Sequence, residues 1–100
     1  MAEAPASIVR ITSLRAVPGE RAGLVAAAHE NASAARAAEG CRSAEVCEDS
    51  SDPQALVVIS RWESEAALQG FLAWHRGIAH ASLADYAAAA PVERHFAVVS

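Results

Sequence analysis

The chain has 100 residues, a formal charge of −4 and no lysine. That length builds one domain, and scattered arginines under a net negative charge exclude nucleic-acid binding, which needs clustered cations. No run approaches the roughly 18 apolar residues of a membrane span and the N-terminus lacks the basic start and apolar core of a secretion signal, so no membrane partner and a cytoplasmic location are expected.

About a quarter of the residues are alanine, which favours helix but buries little area. The few aromatic side chains therefore carry much of the packing. Residues 1–7 read as a loose tail. Ile8 to Val17 alternates as a strand, with Val9 and Ile11 on one face and Ile8, Arg10, Thr12 and Leu14 on the other. Pro18-Gly19 breaks it and opens a helix from about Glu20 to Glu39. Leu24, Val25, Ala28, Ala32 and Ala35 give that helix a small-residue stripe that allows close approach to a sheet. Gly40 is expected at its C′ position.

Cys41 to Glu48 reads as a second strand, Asp49 to Pro53 as a turn, and Gln54 to Trp62 as the strongest strand. The two strands form a hairpin. Cys41 and Cys47 on one strand lie too far apart for a disulfide and read as small packing residues. Ser64 caps the next helix, in which Leu68, Phe71, Leu72 and His75 share one face. The sequence predicts an end to this helix near His75, an interruption at Gly77, and a second short helix over 78–90 with Leu83 and Tyr86 inward. Pro91 ends that helix, and Val92 to Val99 is the last strand.

The order strand, helix, strand, strand, helix, strand is the split β-α-β pattern of a ferredoxin-like α+β fold, a four-stranded antiparallel sheet with helices on one face. It occupies 8–99 as a single domain. Val57 and Ile59 lie opposite Leu56 and Val58, so the uncovered face is also apolar. A homodimer with stacked sheets is the expected partner for it. Arg61 on that face needs a partner, and Glu45 is within reach; Arg10 and Arg94 are expected to make similar interfacial pairs.

The Pro18-Gly19 turn, the Gly40-Cys41 strand start, the Val-Val-Ile-Ser-Arg-Trp-Glu-Ser-Glu-Ala-Ala-Leu run from Val57 and the downstream His80 together resemble the antibiotic biosynthesis monooxygenase domain. The resemblance covers about residues 8–99. It implies a dimeric α+β barrel with a pocket between the sheet and helices of each subunit. It also implies a cofactor-independent monooxygenase acting on an aromatic, polyketide or quinol-type ligand. The haem-degrading branch of that family needs an asparagine, a tryptophan and an axial histidine. Thr12, Phe71 and His80 stand at those positions, so only the histidine is kept.

Under this resemblance His80 is the expected catalytic base, since a neutral imidazole in an apolar pocket accepts a proton near pH 7. Thr12, Trp62, Phe71, Trp74, His75 and Tyr86 are the expected substrate-binding residues, the rings as walls and Tyr86 as a phenolic donor. No cofactor and no metal are expected: there is no Gly-x-Gly-x-x-Gly, no phosphate loop and no His/Cys set with zinc spacing. Three other readings stay open. They are a non-catalytic ligand-binding or structural dimer, a haem-binding or haem-degrading protein, and a proton-transfer isomerase or cyclase. A pocket of fused-ring size containing His80 separates the catalytic readings from the first of these.

Overall fold

The computed structural model describes residues 7–99, apart from the side chains of 76–82. Its elements are β1 (Ile8–Arg15), α1 (Arg21–Ala37), β2 (Cys41–Asp49), β3 (Asp52–Trp62), α2 (Glu65–Leu83) and β4 (Val92–Ala97). The four strands form one antiparallel sheet in the order β2-β3-β1-β4. This is the ferredoxin-like α+β fold that the element order predicts.

The helices supply Leu24, Ala28, Ala32, Leu68 and Phe71 to a single core with Leu14, Leu56, Val58 and Trp62 of the sheet. Alternation along β1 and β3 fixes which side chains reach this core. The α1 stripe is mostly alanine, and its Leu24, Ala28 and Ala32 are fully buried. Small side chains let the helix lie close to the sheet, and Arg36 then donates from α1 to the carbonyl of Ala44 at 2.7 Å.

Ser64 caps α2 as expected: its hydroxyl accepts from the Ala67 amide at 3.1 Å. Helix α2 and the segment after it differ from the sequence reading, and β4 ends at Ala97 rather than Val99. Helix α2 passes through Gly77 to Leu83, and no helix covers 84–90. An interior glycine costs a helix only about 1 kcal/mol, and here the buried Phe71, Leu72, His75 and Leu83 hold both sides of it. The Ala-rich segment after Leu83 has no comparable apolar face, so it turns and bridges through Ala87 to Ala16.

Gly40 is not the C′ residue. Helix α1 closes on an extended Ala38, and Gly40 follows two residues later at φ +85°, where it turns the chain into β2. A Cβ there would also lie 2.5 Å from the Ala67 Cβ, so both backbone and space require glycine. The hairpin turn is tighter than expected, with Ser50 and Ser51 between the strands and Asp49 accepting from the Ser51 amide at 2.9 Å. Ser7 is tied down, its amide donating to the Trp62 carbonyl at 2.9 Å; the rest of the expected tail, residues 1–6, lies outside the described residues.

The opposite sheet face carries Val9, Ile11, Val57, Ile59 and Phe96, by the register of β1 with β3 and β4. Arg61 meets Glu45 there at 3.3 Å, the expected pair, with both side chains near half exposure. Arg94 lies over the Phe96 ring at 5.0 Å. Arg10 differs from expectation. It sits on the helix-covered face and pairs inside the chain with Glu93.

Candidate functional site

The covered sheet face is polar at its centre. Arg10 and Thr12 are neighbours on the inner side of β1, opposite Ser60 and Val58 of β3. Glu93 of β4 pairs with Thr12 in the register, which brings its carboxylate diagonally onto Arg10. The Arg10 Nη2–Glu93 Oε1 distance is 2.6 Å, with side chains only 12% and 16% exposed. In a pair this close each charge offsets part of the other's cost of burial. The Trp62 indole N–H donates to the Ser60 hydroxyl at 2.9 Å, which satisfies a donor in a ring that is fully buried.

The helices close this centre with a second polar pair. Asn31 of α1 donates its Nδ2 to the carbonyl of Ala27 at 3.0 Å. Its Oδ1 lies 2.8 Å from His75 Nε2 of α2. His75 stacks on Phe71, with centroids 4.8 Å apart, and on Trp74, at 5.3 Å. Phe71 in turn meets Trp62 at 5.1 Å. A chain of rings therefore runs from the sheet to the helix surface. Burial lowers the proton affinity of His75 below that of a free imidazole, and the Arg10 guanidinium adds to the effect. The imidazole is neutral at pH 7.

Three buried polar atoms here have no hydrogen-bond partner among the described residues: Arg10 Nε, Thr12 Oγ1 and His75 Nδ1. A narrow cleft of about 20 Å³ lies among Arg10, Thr12, Asn31, Ser60, Leu83 and Glu93. That is room for about one water or one ligand oxygen. A far larger groove, about 660 Å³, opens between α1 and the start of α2; Ala34, Ala38, Ala67 and Gly70 form its floor, and Phe71 and Trp74 its aromatic side. Phe71 belongs both to the groove and to the ring chain that contains His75.

The structure thus brings Thr12, Trp62, Phe71 and His75 together on the covered side, all four buried. Trp74 is 66% exposed and flanks the groove. Tyr86 is elsewhere: its ring packs over Gly23 in the first turns of α1, about 12 Å along the helix from Asn31 at 1.5 Å per residue. The side chain of His80 lies outside the described residues. Arg10, Asn31, Ser60 and Glu93 are site residues that sequence reasoning missed. The available signal was the β1 alternation itself, which puts a charged Arg10 on the same face as Leu14. Among the described residues no group of three or more His, Cys, Asp or Glu gathers for a metal, and no helix is long and apolar enough to cross a membrane.

The sequence pattern described as antibiotic biosynthesis monooxygenase matches residues 7–89. Among solved structures, the chain is similar to the Mycobacterium tuberculosis protein Rv0793 at 22% identity and a TM-score of 0.82, covering 93% of this chain and 95% of that one. It is similar to a Deinococcus radiodurans protein provisionally named an antibiotic biosynthesis monooxygenase, at 21% identity and a TM-score of 0.83, over 93% of both chains. A Chloroflexus aurantiacus protein of the same provisional name matches at 28% identity and a TM-score of 0.73, again over 93% of both. No curated protein matches the chain at a significant level.

Proposed function

The chain belongs to the antibiotic biosynthesis monooxygenase family, and from that premise we propose that it is a cofactor-independent monooxygenase acting on an aromatic, polyketide or quinol-type substrate. The observation that carries the reading is the buried His75 in a chain of aromatic rings that borders a groove of fused-ring volume. Flat rings stack well on Phe71 and Trp74. His80, on the same helix, is the base: it removes a proton from an activated ring carbon. The resulting carbanion gives one electron to dioxygen, and the substrate radical and superoxide combine to form a carbon–oxygen bond. The peroxide anion takes back that proton, and the remaining C–H proton leaves as the O–O bond breaks and hydroxide departs, the two combining as water, so that a CH₂ and O₂ become a C=O and H₂O.

The working unit is a homodimer. Val9, Ile11, Val57 and Ile59 form an apolar strip on the sheet face away from the helices, and a second copy of the same face is the simplest complement to it.

Oxygen uptake with anthrone-type compounds and quinols tests the function. Uptake by the native chain that falls about a hundredfold in His80→Ala supports it. No uptake with any of these compounds, or uptake indifferent to that change, counts against it and favours a non-catalytic ligand-binding dimer.

A further inference from the structure

We infer that Asn31 holds His75 in one tautomer, with the proton on Nε2, so that Nδ1 is a fixed hydrogen-bond acceptor for a hydroxyl group on the aromatic ligand. This rests on the reading that an aromatic ligand enters the site, and it narrows the ligand to one that carries an O–H.

The orientation of the Asn31 amide follows from chemistry. Its nearest acceptor is the Ala27 carbonyl at 3.0 Å, and a carbonyl oxygen can only accept. The Asn31 nitrogen must therefore face Ala27. Its oxygen then faces His75 Nε2 at 2.8 Å. An amide oxygen also only accepts, so Nε2 must carry the hydrogen. In a neutral imidazole the other nitrogen then holds a lone pair. That atom is Nδ1, which is buried and has no partner among the described residues, on a residue only 7% exposed. An unsatisfied buried acceptor is costly, and a ligand O–H removes the cost. A ligand with only ether or carbonyl oxygens would set two acceptors against each other.

The ring stacking fixes the remaining freedom. Phe71 and Trp74 lie against His75 at interplanar angles of 25° and 29°, which hinders rotation of the imidazole away from Asn31. Asn31 is a positioning residue, acting on the ligand through His75.

The probes are 1-naphthol and 1-methoxynaphthalene, which share a ring system and differ in the O–H. Nitrogen-15 spectra of the labelled full chain at pH 8, with His75 assigned from the His75→Gln variant, are expected to show Nε2 protonated and Nδ1 unprotonated. 1-Naphthol is expected to shift the Nδ1 resonance and to bind about tenfold more tightly than its methyl ether, the worth of one hydrogen bond. Asn31→Ala is expected to mix the two tautomers and erase the preference, and Asn31→Asp, which keeps the acceptor, to retain both. A proton on Nδ1 in the native chain overturns the inference. So does equal affinity for the two probes, binding of neither, or an Asn31→Ala spectrum unchanged from native. Oxygen uptake is measured separately, so a chain that prefers 1-naphthol but consumes no oxygen loses the oxygenase reading alone.

Discussion

The two faces of the sheet are built from the same strands and differ in chemistry at their centres. The face under the helices holds Arg10, Thr12, Ser60 and Glu93 at its centre; the face without helices presents Val9, Ile11, Val57 and Ile59. An ordinary half-covered sheet puts its apolar residues under the helices and its polar ones outside. Here the centre of the pattern is inverted. Buried polar groups cost stability unless they are paired, and two of these, Arg10 Nε and Thr12 Oγ1, lack partners among the described residues. The proposed ligand would give such a centre partners, and the proposed second subunit would cover the apolar outer face.

Trp62→Ala breaks the covered face most severely. The ring is fully buried and packs against Phe71, so its loss is expected to cost about 4 kcal/mol of unfolding free energy, measured by chemical denaturation. Glu93→Leu leaves Arg10 charged and without its carboxylate, at an expected cost of about 3 kcal/mol. Arg10→Met combined with Glu93→Leu removes both charges and is expected to recover most of that loss. If the double variant is as unstable as the single one, packing rather than charge explains the pair.

The pH dependence sharpens the same contrast. His75 has a folded proton affinity below the free value of 6.5. As the pH falls below 6.5, the unfolded chain takes up a proton that the folded chain resists, so the unfolding free energy falls with pH. Denaturation midpoints of His75→Gln are expected to vary less than those of the native chain across this window. The smallest effect on the single chain is expected from Ile59→Asp on the open face, within about 0.5 kcal/mol. The same change is expected to convert dimers to monomers in sedimentation measurements. A native chain that sediments as a monomer would remove the proposed role of that face.

The fold was legible because its signals are local. The alternation of Ile8 to Leu14, the Ser64 cap and the run into Trp62 each depend on neighbours within a few residues. The end of α2 was harder to read, because Gly77 is a breaker by propensity alone and the helix survives through packing of Phe71, His75 and Leu83. The site was legible only in part. Thr12, Trp62, Phe71 and His75 stand out as single residues. The pairs that give them meaning join residues 83 apart in Arg10 and Glu93, and 44 apart in Asn31 and His75. Residue spacing cannot indicate which strand edge or helix face will meet. Asn31 lies one residue from Ala32 of the buried α1 stripe, the place where a polar side chain most needs a tertiary partner.

The strand order has a consequence for synthesis. Strand β1 leaves the ribosome before either of its neighbours, because β3 and β4 both follow it in the chain. The β2–β3 hairpin, joined by two residues, can close on its own as it emerges. Until β4 arrives, one edge of β1 stays unpaired and Arg10 has no Glu93. A nascent chain halted before Val92 therefore carries an open strand edge beside an uncompensated cation, and such an edge is a template for pairing with another chain.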